Sequence, residues 1–90
     1  MKLMKFIDIF FSKENRFSVG IEQESGRYYL AIPVTTGIAD YEEFYEINEQ
    51  DFNKNNPDID HLKKIAQLCR ERKNDSKLIL GPRNPRAIPD

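Results

Sequence analysis

Apolar and polar residues alternate through the first third of the chain at the period of two that a β-strand imposes. Ile7, Ile9 and Phe11 fall on one side, with Phe6, Asp8 and Phe10 on the other. Both sides are largely apolar, so this first strand is expected to be covered on both faces and to lie inside a sheet. After a polar turn at Ser12 to Asn15, Phe17, Val19 and Ile21 alternate with Arg16, Ser18, Gly20 and Glu22, which gives one dry face and one wet one. Glu24-Ser25-Gly26-Arg27 reads as a hairpin turn, because Gly26 can take the positive φ such turns need. Tyr28, Leu30, Ile32 and Val34 form the next apolar row, and Pro33, which lacks a ladder donor, places that strand at an edge or a bulge. A further turn is expected over Thr35 to Ala39, around Gly37.

From Asp40 to Asn48 the chain keeps its β character, with Tyr41, Tyr45 and Ile47 on one face and Glu42, Phe44 and Glu46 on the other. The density of acids reads as a solvated strand. Asn48 to Asn55 suggests a short helix carrying Phe52, against the poor helix propensity of its asparagines. The periodicity then changes to 3.6. Ile59, Leu62, Ala66 and Cys69 recur at helical spacing with Ile65 and Leu68 beside them, behind an Asn56 N-cap and a proline at the first helical position. Arg70, Arg72 and Lys73 close the helix with cations, which predicts one amphipathic helix over Pro57 to Lys73. Leu78 to Leu80 is long enough for a last strand, and the three prolines after Gly81 predict an extended, mobile tail.

Four antiparallel strands ahead of one long amphipathic helix, in a sheet of four to five strands, make an α+β domain, residues 1–80, followed by a Pro-rich tail, residues 81–90. A meander is the simplest order, with the helix packed across one sheet face. Ninety residues permit one small core, burying about 60 to 65% of the surface of the unfolded chain. No internal repeat or low-complexity tract is present. The first eleven residues have the basic, apolar look of a targeting segment, but Lys5 and Asp8 interrupt it and no cleavage site follows, so a cytoplasmic protein is expected.

Composition narrows the chemistry further. One cysteine allows no internal disulfide, and one histidine with one cysteine gives no Cys/His metal set. His61 and Cys69 stand about 12 Å apart along a helix, too far for a nucleophilic pair. The four glycines stand alone, so no phosphate-binding loop or nucleophile elbow is present. No cofactor is implied, and a non-enzymatic protein is expected.

Charge carries more information than any motif. The net charge is only −1, yet residues 38–60 hold one basic and eight acidic groups and residues 61–90 hold eight basic and three acidic ones. Asp40, Glu42, Glu43, Glu46, Glu49 and Asp51 follow one another without an intervening cation, a density that repels itself unless a basic surface lies nearby. That surface could be Lys63, Lys64 and Arg70 of the same molecule, or a basic partner docking on the acids with Tyr41 or Tyr45 as an apolar anchor. The acids are too alike in setting for a general acid/base pair. Arg70, Arg72, Lys73, Arg83 and Arg86 form the alternative, a basic helix end and tail that could hold nucleic acid or a ribosomal surface.

Three stretches resemble a known group. Gly26-Arg27-Tyr28-Tyr29-Leu30-Ala31-Ile32-Pro33-Val34, Asp40-Tyr41-Glu42-Glu43-Phe44-Tyr45-Glu46-Ile47 and Cys69-Arg70-x-Arg72 are similar to small bacterial immunity proteins of contact-dependent growth inhibition and related polymorphic toxin systems. The resemblance covers about half of the chain and rests on hairpin and helix features. It implies a cytosolic, non-enzymatic binder that occludes a cognate toxin domain, often a basic nuclease. The partner-binding residues would then be Asp40, Tyr41, Glu42, Glu43, Tyr45, Glu46, Glu49 and Asp51.

Overall fold

The computed structural model describes residues 4–35, 40–53, 55–80 and 88–89. Strands β1 (Phe6–Ser12), β2 (Phe17–Glu22), β3 (Arg27–Thr35), β4 (Asp40–Ile47) and β5 (Leu78–Leu80) form an antiparallel sheet in the order β1-β2-β3-β4-β5. Between β4 and β5 lie helices α1 (Glu49–Phe52) and α2 (Ile59–Arg70) and a 3₁₀ turn at Asp75–Lys77. The chain is thus a small α+β domain with a meander sheet. Strand β6 (Ile88–Pro89) pairs with β3 at Thr35 and Val34, beyond the point where the β2 pairing ends at Ala31. Part of the tail is therefore in the sheet, while residues 81–87 and 90 lie outside the described ones, as do residues 36–39 of the expected turn.

Period-two patterning sets the core. Ile21, Tyr28 and Ile47 lie in one cross-strand row and Val19, Leu30 and Tyr45 in the next, all on the face that receives α2. Leu62, Ala66 and Cys69 of α2 are fully buried against these rows, and Phe52 of α1 closes one end. Leu68, expected among the buried residues, is 39% exposed because it falls off this stripe. Helix α2 is also shorter than Pro57 to Lys73. Asp58, rather than Asn56, is its N-cap, and the Asp58 carboxylate accepts from His61 N at 3.1 Å. At the other end Arg72 takes a left-handed backbone (φ 62), and Lys73 N and Arg72 N donate to the Leu68 and Cys69 carbonyls. These bonds form a Schellman stop with arginine where glycine is usual.

Two expectations about the strands need correction. β1 is an edge strand and is not covered on both faces: Ile7, Ile9 and Phe11 are 45%, 44% and 63% exposed. A bulge between Asp8 and Phe10 breaks its alternation, so Ile7 and Phe10 share the helix side while Phe6, Asp8 and Phe11 share the opposite side. β3, conversely, is central despite Pro33. Pro33 falls in the gap between the β2 and β6 pairings, where a missing donor costs little.

The sheet is strongly curled. β1 and β4 are three strands apart, about 14 Å in a flat sheet, yet the Phe6 and Phe44 rings stack with centroids 3.8 Å apart and Tyr29 meets both edge-on. Gly20 makes this possible, since a Cβ there would lie 2.0 Å from the Ile7 carbonyl oxygen and 2.6 Å from the Tyr29 hydroxyl. Through that opening the Tyr29 hydroxyl reaches the Asp8 carboxylate. Among the described residues no helix is long and apolar enough to cross a membrane.

Candidate partner-binding surface

β4 divides the acidic run between two environments. Asp40, Glu42, Phe44 and Glu46 lie on the sheet face opposite α2, and Tyr41, Glu43, Tyr45 and Ile47 lie on the core face. Glu43 and Tyr45 are 0% exposed and Tyr41 packs against the core, so these three leave the expected contact surface. β4 is accordingly not a simply solvated strand. The Glu43 carboxylate accepts from the Arg72 guanidinium and, at 2.9 Å, from the Tyr45 hydroxyl. Burial and then the bond to Glu43 push the Tyr45 phenol well above its ordinary range. Glu49 is exposed, but Asp51 is engaged: its Oδ1 lies 2.6 Å from His61 Nε2 and ties α1 to α2.

What remains on the helix-free face is an acidic row of Asp40, Glu42 and Glu46, all exposed. Glu46 has a loose partner in Arg27 at 3.9 Å, with both side chains about half exposed and the pair largely screened by water. Among the described residues Asp40 and Glu42 have no ion-pair partner, so the intramolecular neutralisation by Lys63, Lys64 and Arg70 does not occur on this row. The curl brings a further acid toward it. Partial desolvation, and after it the charge of Asp8, raise the Glu42 carboxyl above its ordinary value. Burial, then the hydrogen bond and charge of Asp8, raise the Tyr29 phenol as well. Asp8 was not legible as part of a site, because it sits singly in an apolar strand. The one available signal was a carboxylate on a strand that otherwise looked dry on both sides.

Among the described residues, the cations of the alternative basic site are engaged elsewhere. Arg70 donates to the carbonyls of Asn15 and Arg16 at 2.9 and 2.5 Å, which fastens the end of α2 to the β1–β2 turn. Burial lowers its pKa. Arg72 is committed to Glu43, and Lys73 pairs with Glu71 at 3.2 Å on the surface. Arg83 and Arg86 lie outside the described residues. Cys69 is fully buried, and desolvation pushes its thiol up to about 11 in spite of the Asn74 amide 3.9 Å from Sγ. It is a small core residue rather than a nucleophile. Among the described residues no three acids, histidines or cysteines come together as a metal set.

Between the β1–β2 turn and β4 the same face holds a cavity of about 200 Å³, lined by Phe11, Lys13, Arg16, Phe17, Ser18, Ala31, Pro33 and Glu42. Compared with known proteins, the chain matches no family model, no curated protein and no solved structure.

Proposed function

We propose that this protein is a non-enzymatic immunity protein, which neutralises a cognate bacterial toxin domain by covering a basic, nuclease-like surface with the helix-free face of its sheet. The observation that carries this reading is the exposed row Asp40, Glu42 and Glu46, in which two of the three carboxylates have no cation paired with them among the described residues. Such a row steers a cationic partner and then pairs with its arginines and lysines through charge-assisted hydrogen bonds. Those are the groups a nuclease otherwise offers to phosphate. The resemblance of residues 26–34 and 40–47 to immunity proteins supports the same role, and Glu49 extends the acidic surface past the end of β4. Tyr45, buried in the core, and Tyr41, half-buried and packed against it, take no part as anchors.

The test is co-expression of the tagged protein with the product of the gene immediately upstream, read by size exclusion and by growth. A stoichiometric complex and rescue are expected. The triple variant Asp40→Lys, Glu42→Lys, Glu46→Lys should lose both while melting within a few degrees of the wild type, because all three side chains are exposed. Glu43 must be left intact in this test, since its loss would unsettle the core. Full protection by the triple variant, or the lack of any complex with the wild type, would refute the proposal.

A further inference from the structure

Four of the five large apolar side chains left exposed among the described residues stand on or beside one strand: Met4, Ile7, Ile9 and Phe11. That strand, β1, is the long edge of the sheet, whereas β5 at the other edge has three residues. Its inner side pairs with β2, and among the described residues no strand pairs with its outer side. Edges are ordinarily blunted by proline, lysine, an inward-pointing charge or a bulge. Phe6 to Ser12 contains no proline and no cation. Its one charge, Asp8, reaches over Gly20 to the Tyr29 hydroxyl, away from the free edge. Only the bulge at Ile9 is left as a guard.

The bulge also decides what fits. Two antiparallel strands that extend one sheet about a two-fold axis put directly opposite residues on the same face. Ile7 and Phe10 lie on the helix side of β1, and Phe6 and Phe11 on the other side. Each of these pairs is an odd number of residues apart, so in a regular strand its members would face opposite ways. The extra residue at Ile9 brings each pair to one side. When β1 meets β1 of a second copy, one register therefore matches both arms, with Ile7 opposite Phe10, Phe6 opposite Phe11, and Asp8 and Ile9 at the axis. A regular strand leaves Ile9 unmatched, as β2 does. A second copy brings an extra residue of its own to stand there, so a bulge that puts other strands out of phase is in phase with itself.

We infer that a second copy of this chain docks on β1, antiparallel and two-fold symmetric, with Ile7 and Phe6 of each copy against Phe10 and Phe11 of the other. Phe11, at 63% the most exposed of these side chains, gains cover from Phe6, and Ile7 gains cover from Phe10. The exposed parts of Ile7, Ile9 and Phe11 come to about 300 Å² per copy, which sets the contact at the small end of specific interfaces and makes the dimer weak and reversible. The inference stands apart from the immunity role, since it uses the edge of β1 and none of the acids of β4.

Sedimentation of the full chain alone, from about 5 µM to about 1 mM, should show the mass rising from one chain to two, with a dissociation constant on the order of 100 µM. Phe11→Lys and Ile7→Lys should each raise that constant at least about tenfold, because each desolvates an ammonium opposite a phenylalanine and the two-fold axis counts it twice. Both residues are exposed, so both variants should melt like the wild type at low concentration. The register is read on the wild type, independently of any variant's folding, by isotope-filtered NMR of a mixed labelled and unlabelled sample. Contacts between Ile7 and Phe10 and between Phe6 and Phe11 should pass from one copy to the other. A one-chain mass over the whole range, a dimer indifferent to both substitutions, or intermolecular contacts that join other residues would overturn the inference.

Discussion

Arg72 donates to the buried carboxylate of Glu43 from a backbone held in the left-handed region, at the position that ends α2. Glycine would adopt that conformation freely, whereas a side chain there costs about 1 kcal/mol. The guanidinium makes the conformation worthwhile, because Glu43 has only 1% of its side chain exposed and Arg72 only 24%. Removing one partner of such a pair leaves a buried charge and costs about 3–5 kcal/mol. Arg72→Gly should therefore destabilise the fold by about 2–4 kcal/mol in urea melts, less than Arg72→Ala because the backbone strain is relieved. The triple variant Glu43→Leu, Tyr45→Phe, Arg72→Gly, which removes all three of these polar groups together, should recover most of the loss. Wild-type stability in Arg72→Gly would show that the pair contributes nothing.

Gly20→Ala tests the curl of the sheet. The new methyl would meet the Ile7 carbonyl and the Tyr29 hydroxyl well inside contact distance, and one of these is backbone that cannot swing aside. Either β1 lifts away or the Asp8–Tyr29 bond breaks. Overpacking of this kind costs about 1–3 kcal/mol, which is about 4 to 24 °C in melting temperature for a domain of this size. Amide exchange should accelerate in β1 before it does in β3. An unchanged melt together with unchanged β1 protection would mean that β1 does not lie as closely on β2 as described.

The parts of the fold that repeat were legible in the sequence, and the parts that depend on a single residue were not. The rows Phe17/Val19/Ile21 and Tyr28/Leu30/Ile32 identified the hairpin, and Leu62, Ala66 and Cys69 identified the buried helix stripe, because one wrong register would expose all of them. Phe6 to Phe11 offered no such discrimination. It is apolar at five of six positions, so a bulge at Ile9 leaves the pattern unchanged while exchanging the faces. For the candidate site, alternation alone put Glu42 and Glu46 opposite Tyr41 and Tyr45. The same parity places Glu43 in the core, a signal that the run of acids from Asp40 to Asp51 masks. Its partner Arg72 lies 29 residues away on another element, and no local pattern links the two.

Cys69 offers a readout of core opening. Its thiol is fully buried and pushed up to about 11 by desolvation, so at pH 8 both access and thiolate are scarce. Modification by a disulfide reagent should run at least about 100-fold slower in the native protein than in urea, and its rate should follow the opening of α2 from the sheet. Rapid labelling under native conditions would place the helix elsewhere.

Glu22 gives the stability of the domain a distinct acid limb. Its side chain is 1% exposed, and its carboxylate accepts from Ser25 Oγ at 2.6 Å, from Lys5 N and Ser25 N at 2.8 Å each, and from Glu24 N at 3.0 Å. The Ser25 hydroxyl, and after it the Lys5 amide, hold the carboxyl at about 2, below the ordinary 4.5, against an opposing contribution from burial. Between those two values the unfolded chain binds the proton and the folded chain does not, so protonation favours unfolding. The contribution is complete above about pH 4.5 and is lost as the pH falls toward about 2. Other carboxylates also shape the acid limb, Glu71 with its pKa lowered and Glu42 with its pKa raised, and the effect must be isolated by difference. Glu22→Gln keeps the shape and gives up the anion. Its deficit relative to wild type should be constant above about pH 5 and should shrink steadily below that as the wild type loses what the variant never had. Since Lys5 N and the Ser25 turn both bond to this carboxylate, the variant should also loosen the approach to β1 and the β2–β3 turn together, visible as faster amide exchange at both. A deficit that does not change with pH between 5 and 2 would mean that the carboxylate is not held in its ionised form by these donors.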